Sequence, residues 1–536
     1  MLWIKLTFFG AAKAVTGSCH CVECNGYKVL IDCGLQQGRD EIDNTQLDFM
    51  PSYIQDVIVT HAHIDHSGRI PLLIKQGFGG NIYCTRLTAQ LLDIMLRDSA
   101  HIQESDAKWE NQKGQRAGRP PVEPLYTLAD VERTLRHLVV CEYGQEIQVN
   151  DDIKLRFTDA GHLLGSASAE LWLTENGETK KIVFSGDIGN REQPIIRDPQ
   201  FISEADYVVT ESTYGDRLHD MDVDPDYTRD LAALIDETLS KGGNVIIPSF
   251  AVGRTQELLY FMREMKEQGL VRSVPDFQVY VDSPLAGAAT RIFSGDLHGY
   301  LDEEAIEALK GGALFQFPGL NITESTQESM ALNSDPNPKV IISASGMCDA
   351  GRIRHHLKHN LWREECAVVF VGYQAEGSLG RRLLDGVTHV KLFGEEISVR
   401  ARIVNFPGLS SHADKNGLIA WIQAYHPMPQ HVFVVHGESS VTEHYAQTLR
   451  DLGFQAHSPN YEEVYDLLQN RMLAPGVILE RKPATALPAP GSPAYRRLED
   501  VGKRLMEVIA HNKGGSNKDL GKFADQIRAL IDKWDR

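Results

Sequence analysis

Nowhere does the chain approach the roughly 18 consecutive apolar residues that a membrane-spanning helix requires, so no part of it is expected to lie in a membrane. Cysteine is sparse and scattered, eight in 536 residues. That excludes a disulfide framework and points to the reducing cytoplasm. Positive charge is in deficit: 54 Lys and Arg stand against 73 Asp and Glu, a net charge of −19. A surface coated with cations for nucleic acid is therefore excluded. A phosphate-bearing partner would need a local basic cleft, or metal ions that supply the positive charge. The opening MLWIKLTFFGAAKAV has no long apolar run before a small-residue cleavage site, so it is expected to be a buried strand rather than a secretory signal.

What is present suits a soluble globular enzyme, with 42% hydrophobic and 24% charged residues. At roughly 100–200 residues per domain the length allows about two to four domains and ample core.

The first sixty residues read as strands. Segments 18–24 and 27–32 flank Asn25-Gly26, a strong hairpin signal. Strand alternation then places Cys19 and Cys21 on one face and His20 on the other. This favours packing over a metal knuckle built with Cys24. A strand at Asp56–Thr60 runs into His61, and further strands are expected at Ile153–Thr158, Lys181–Ser185 and Asp206–Thr210, each ending in a polar loop.

From about residue 216 strands and helices alternate. Three units repeat one plan of apolar strand, small-residue loop and helix. They are Asn244–Pro248 into 249–254, Lys339–Ile342 into 343–346, and Cys366–Gly372 into 377–380. Such units build a parallel sheet whose ligands sit beyond the strand carboxyl ends, where helix N-termini suit phosphate. Ser249, Arg254, Ser345, Ser378 and Arg381 lie on or just after these loops and are candidates for holding phosphates; tight-turn packing is the bland alternative. His355, His356 and His359 are expected on a solvated helix face.

After about residue 396 the earlier style returns, and HVFVVH at 431–436 is another strand ending on a His. Lys482–Ala494 reads as a Pro/Ala linker. Beyond it, Leu498, Val501, Leu505 and Val508 share one helix face. Leu520, Phe523, Ile527, Leu530, Ile531 and Trp534 share another, with Gly514-Gly515 between. This tail has ten Lys and Arg against seven Asp and Glu. It is expected to pack on the body or a partner chain, a homodimer being possible, because short amphipathic helices are rarely stable alone.

His61-Ala-His63-Ile-Asp65-His66 places four metal-seeking side chains in six residues at the end of an apolar strand. Imidazole and carboxylate are good zinc ligands, and without a metal these groups would be costly to bury. One loop cannot complete two sites. His162, Asp187 and His436 each follow an apolar strand in the same way and are the candidates to finish them.

With these residues assembled, the chain resembles the metallo-β-lactamase superfamily and, within it, the β-CASP nucleases. The matches are HAHIDHSG at 61–68, AGHLLGSA at 160–167, FSGDIG at 184–189, ESTYGDR at 211–217, SSHAD at 410–414 and VVHGE at 434–438. They follow the family's order with no departure, and resemble most the RNA-cleaving bacterial and archaeal members and the pre-mRNA 3′-end processing endonuclease. The resemblance implies an α/β fold, a four-layer αβ/βα sandwich with an inserted β-CASP α/β domain. The sandwich would span 1–215 and 396–480 and the cap 216–395. Residues 481–494 would be a linker, and 495–536 a helical tail outside the resemblance.

It further implies two Zn2+ per chain, one on His61, His63 and His162, the other on Asp65, His66 and His436, with Asp187 between them and Asp32 supporting the metal loop. Such ions make water a nucleophile at neutral pH and neutralise charge on phosphoryl oxygens. Asp65 would then serve catalysis, with His412 as general acid and Glu211 orienting it. The bland alternatives are that Glu211 caps a turn and that His412 simply precedes the helix that Asp414 starts. The third β-CASP motif carries His in members acting on RNA and tends to Val in those specialised for DNA; here it is His436. The expected activity is hydrolysis of single-stranded RNA to 5′-phosphate and 3′-hydroxyl ends. One competing reading is a small-molecule metallohydrolase on the same fold, against which the inserted domain argues. Another is a non-catalytic scaffold, against which the full ligand complement argues.

Overall fold

Asn25 and Gly26 both take positive φ, 50° and 77°, and turn the chain between the antiparallel strands His20–Cys24 and Tyr27–Ile31. Alternation sorts the neighbours as expected. Cys19 and Cys21 enter the core beneath one face of the sheet, while His20 points the other way, its ring against Phe8 and Phe184. The computed structural model describes residues 4–37, 43–116, 118–219, 227–312, 314–372, 374, 377–406, 410–479, 493–514 and 516–534.

Two sheets form a sandwich. In spatial order the first contains Arg471–Val477, Tyr461–Asp466, Lys5–Phe8, His20–Cys24, Tyr27–Ile31, Asp56–Ile58, Asn81–Thr85 and Leu138–Cys141. The second contains Ala456–His457, His431–Val434, Tyr207–Thr210, Glu178–Phe184, Ala167–Glu175, Ile153–Asp159 and Ile147–Gln148. Leu6, Phe8, Val29 and Ile58 of the first sheet pack against Phe157, Leu171, Phe184 and Phe433 of the second. The period-two strand sends the alternate residues outward. Val57, Val59 and Ile82 meet Ile70, Leu73, Leu87 and Val131 of one helical layer. Val208, Val432 and Val434 meet Leu418, Trp421 and Leu449 of the other. The result is the four-layer αβ/βα arrangement. Four strands beyond residue 430 return to complete it, two in each sheet.

Between Thr210 and that return the chain builds a six-stranded, wholly parallel sheet, ordered Leu320–Ile322, Gln278–Val281, Lys339–Ser343, Val245–Pro248, Ala367–Phe370 and Arg402–Asn405. Its interior strands Lys339–Ser343, Val245–Pro248 and Ala367–Phe370 are buried on both faces because helices cover both. Arg402–Asn405 pairs with Ala367–Phe370, so this sheet runs on past the boundary expected at 395, which falls within the hairpin His389–Leu392/Glu395–Ser398.

One expectation on the helix Ile353–Asn360 needs correction. His355 and His359 are exposed, but His356 is fully buried. It is drawn in by Asp282, the buried residue that follows Gln278–Val281. The Asp282 carboxylate accepts from His356 Nε2 at 2.6 Å, Ser329 Oγ at 2.6 Å and Arg352 at 2.8 Å. Burial would push this carboxyl up, but those donors hold it well below the usual carboxylate range.

Residues 480–536 form a separate unit. Within it, helices span Pro493–His511 and Asn517–Trp534. Leu498, Val501, Met506, Ile509, Leu530 and Ile531 are exposed. Residues 480–492, most of the expected linker, and Gly515 lie outside the described residues. No described helix is long and apolar enough to cross a membrane.

Removing one partner from a buried charge cluster costs roughly 3–5 kcal/mol. Asp282→Ala should therefore lower the denaturant midpoint sharply, whereas His359→Ala on the exposed face should leave it within error. An unchanged midpoint for Asp282→Ala would show that the cluster adds no stability.

Candidate metal centre

The candidate residues converge because the strands bearing them run the same way. Glu178–Phe184, Tyr207–Thr210 and His431–Val434 are mutually parallel. Ile153–Asp159 shares their direction through two antiparallel steps. Asp187, Glu211, His436 and His162 thus leave one end of the second sheet, and His61 follows Asp56–Ile58 at the facing end of the first. Backbone bonds knit the metal loop to that sheet: Ser18 N donates to Asp65 O, Cys33 N to His66 O and Leu35 N to Ile64 O, each at 2.8 Å. A Cβ at Gly34 would lie 1.5 Å from Asp65 O, so only glycine permits this approach.

Two nests result. His61 Nε2 lies 3.1 Å from His63 Nδ1, which lies 3.2 Å from His162 Nε2. In the other, His66 Nε2 lies 3.1 Å from His436 Nε2, and Asp65 Oδ2 is 3.5 Å from His436 Nε2. Asp187, only 2% exposed, divides its oxygens between them. Oδ2 is 3.4 Å from His61 Nε2 and 3.6 Å from His162 Nε2. Oδ1 is 3.2 Å from His66 Nε2 and 3.7 Å from His436 Nε2.

These donors fit metal ions. Nitrogen lone pairs this close repel unless something positive sits among them. Ligands at about 2.0–2.1 Å around a tetrahedral Zn2+ stand roughly 3.3 Å apart, close to the spacings above. The buried Asp187 Oδ1 also has no hydrogen-bond partner, a costly omission for a carboxylate oxygen unless a cation meets it. Among the described residues three groups could hold an ion: His61, His63, His162 and Asp187; Asp65, His66 and His436; and Asp187, Glu211 and His412.

Protonation suits ligands in the first nest. Burial lowers the pKa of His61, pushes His63 down to about 3 and pushes His162 well below its ordinary value, so these imidazoles are neutral. In the second nest burial is overcome. Asp187 and Asp32 raise His66, and Asp187 and Asp65 raise His436.

Neighbours orient the rings. Asp32, 1% exposed, accepts from His66 Nδ1 at 2.7 Å and from Thr60 N at 2.8 Å. Ser411 O accepts from His162 Nδ1 at 3.1 Å, and Thr213 Oγ1 lies 3.2 Å from His436 Nδ1. Fixing the far nitrogen sets which one faces a metal. Thr60, Thr213 and Ser411 escaped the sequence reading, although each sits in or beside a quoted motif. His219 left no such signal; its Nε2 bonds His412 O at 2.9 Å.

His412 and Glu211 stand together at the rim. His412 Nδ1 lies 3.2 Å from Glu211 Oε1 and its Nε2 is 4.0 Å from Asp187 Oδ2. Glu211 is itself held by the Ile188 N–H at 2.6 Å, and His412 pairs with Gly189 as a β-bridge. Burial would lower the His412 imidazole, but Glu211, together with Asp187 and Asp65, more than offsets it and the pKa is pushed up to about 9.

The phosphate candidates are each engaged locally. Ser249, 1% exposed, donates to Phe250 O and accepts from Thr255. Arg254 is buried against Glu257. Ser345 Oγ approaches Ala350 O at 3.5 Å, Ser378 caps the helix Leu379–Leu384, and Arg381 bonds Asp385 at 2.9 Å. Their loops do meet: Ser249 N donates to Ser343 O at 3.0 Å and Gly380 N to Met347 O at 3.1 Å.

Three family models match the chain. Residues 13–141 match the metallo-beta-lactamase superfamily, 255–383 the Beta-Casp domain and 396–459 the Zn-dependent metallo-hydrolase RNA specificity domain. The chain is 37% identical over 436 residues to Ribonuclease TTHA0252 of Thermus thermophilus, spanning 81% of this chain and 93% of that one. It is 32% identical over 462 residues to transcription termination factor FttA of Methanocaldococcus jannaschii, covering 84% and 69% respectively. The RNase J-like protein of the same archaeon is 31% identical over 447 residues, covering 83% and 95%. The crystal structure of a protein of unknown function from Enterococcus faecalis V583 superposes with a TM-score of 0.50 at 13% identity, covering 87% of this chain and 100% of that chain, a likeness of fold alone.

The Glu211–His412 pair is testable by titration. In metal-free protein the His412 ring should titrate near pH 9. In Glu211→Gln the strongest opposing group is gone and only Asp187 and Asp65 still counter burial, so the value should fall clearly below that of the wild type. The wild-type pair should stabilise the fold fully below about pH 6.5 and lose that contribution as pH rises through about 9. Equal His412 titrations by NMR in the two proteins would show that the carboxylate does not act on the imidazole.

Proposed function

Because the chain belongs to the β-CASP branch of the metallo-β-lactamase superfamily, a family of metal-dependent hydrolases, we propose that it is a zinc ribonuclease acting in RNA processing or decay. It cleaves single-stranded RNA to leave 5′-phosphate and 3′-hydroxyl ends. The observation that carries this reading is Asp187, whose two oxygens face separate imidazole nests, with the His412–Glu211 pair beside them. RNA as substrate is supported by the match to an RNA specificity domain and by the ribonuclease among the relatives. The working division is a sandwich of 1–215 and 396–480, a cap centred on 216–395, and a tail.

His61, His63 and His162 would hold one Zn2+, and Asp65, His66 and His436 the other, with Asp187 shared between them. Bound there, the ions would supply an acidified water and a counter-charge for the phosphoryl oxygens. The protein's own part is positional and protic. Asp32, Ser411 and Thr213 keep the ligand rings turned toward the site. Glu211 favours the protonated form of His412, whose Nε2 would give its proton to the ribose 3′-oxygen as the P–O3′ bond breaks. Glu211 holds Nδ1 and stabilises the imidazolium until reprotonation.

The helical tail, with its exposed Leu498, Val501, Met506, Leu530 and Ile531, is the proposed dimerisation element, since such faces are rarely left to water.

Purified protein should carry about two zinc ions per chain. His63→Ala should abolish hydrolysis while leaving the circular dichroism spectrum intact, and full activity with no transition metal bound would sink the metallohydrolase reading. His412→Ala should keep its zinc yet lose roughly 10²–10⁴-fold in rate on single-stranded RNA, the usual worth of a general acid. Duplex DNA cut as fast as single-stranded RNA would reject the substrate assignment.

Deleting residues 483–536 should halve the solution mass without changing zinc content. A truncated chain of unaltered oligomeric state would show that the tail does not join copies.

A further inference from the structure

The loop between Val245–Pro248 and the helix Arg254–Glu267 is firmly held, yet it leaves one aromatic ring in water. Phe250 is 51% exposed, while Ser249, Ala251, Val252 and Arg254 around it are buried. The Phe250 carbonyl accepts from Thr255 Oγ1 at 2.7 Å, and Ser249 N donates to Ser343 O at 3.0 Å. One edge of the ring rests on the neighbouring loop, where a Cβ added to Gly346 would lie 3.2 Å from Phe250 Cε2.

The same loop also borders the metal centre. A Cβ on Gly253 would lie 3.2 Å from Leu163 Cδ1, and Leu163 directly follows the candidate ligand His162. Leu163, Leu164, Ala251 and Val252 belong to one core.

The polar side chains of this loop are already engaged. Arg254 is taken up by Glu257 and the Ser249 hydroxyl is turned inward. What the loop presents to solvent is therefore an aromatic ring rather than a cation. A chain of net charge −19 draws little affinity from broad phosphate attraction. Stacking on an aromatic ring binds single-stranded nucleic acid without sequence preference, because every base has a π face.

We infer that Phe250 is a stacking platform for a nucleobase of the bound strand, and so a determinant of specificity for unpaired nucleic acid. This rests on the ribonuclease reading above. A paired, stacked base has no free face for Phe250, whereas an unpaired one does.

The test uses the full-length, zinc-loaded protein, with zinc content measured for every variant. Substrates are a single-stranded oligoribonucleotide and a set of copies each carrying one abasic ribose at a different position. On the intact oligomer, Phe250→Ala should raise KM about ten-fold, within the usual range for one stacked base, with kcat changed less than two-fold. Phe250→Leu, which keeps an apolar contact on Gly346, should behave like Phe250→Ala, and Phe250→Trp like wild type. One abasic position should cost the wild type the same factor and cost Phe250→Ala nothing more. The inference is overturned if Phe250→Ala cleaves like wild type, if Phe250→Leu restores KM, or if every abasic substrate is penalised equally in both proteins. A wild type that cleaves no RNA overturns the ribonuclease reading instead, a result distinct from a wild type that cleaves RNA and is indifferent to the ring.

Discussion

Asp187 is buried among four imidazoles with 3.2–3.7 Å between its oxygens and their nitrogens. That crowding is the condition the rest of the sandwich satisfies. Desolvated charges cost several kcal/mol each unless opposite charge and hydrogen bonds compensate them. The compensation comes from imidazoles carried on three other strand ends, which must therefore stop at one level with that of Asp187. Parallel pairing of Glu178–Phe184, Tyr207–Thr210 and His431–Val434 provides that level. The face-to-face packing of Phe8, Phe157, Phe184 and Phe433 brings the metal loop of the other sheet to meet it. Closure thus depends on residues beyond 430 returning across both sheets, and the centre is incomplete until the last part of the sandwich has folded.

The inserted sheet follows the same rule for a different purpose. Its interior strands are buried on both faces, so specificity rests on a few buried polar groups at their ends. The Asp282 cluster fastens the loop after Gln278–Val281 to the helices Thr326–Ser334 and Ile353–Asn360. A serine, an arginine and a histidine are committed to one carboxylate there. The same economy governs the loops at 249–254 and 377–381, whose serines bond backbone groups and whose arginines pair with carboxylates of their own helices. Small polar residues after a strand have two uses, binding a ligand or closing a turn. In this cap the local hydrogen bonds engage them in the second.

Much of this was legible along the chain. The hairpin at Asn25-Gly26, the strands ending at His61, His162, Asp187 and His436, and the strand–loop–helix units all rest on local chemistry: positive φ, alternation and period. Their signals lie within a few residues of the structure they specify. The Cys19/His20/Cys21 segment was legible for the same reason, since alternation alone decides which core each side chain enters.

Other features depend on residues far apart. His356 looks like its neighbours His355 and His359 on a polar helix, and only the approach of Asp282, 74 residues earlier, makes it buried. Arg402–Asn405 resembles the start of the returning sandwich, yet its register against Ala367–Phe370 extends the inserted sheet. Thr213 and Ser411 become ring-orienting partners because two strand ends and a bridge at Gly189–His412 bring them to His436 and His162. The sequence by itself determined which side chains can bind metal and which strand ends carry them, because ligand chemistry and strand period are local properties. Tertiary structure alone decided how Asp187 divides its oxygens between two nests and which neighbours hold each ring, because those distances arise only when separate strands stop side by side.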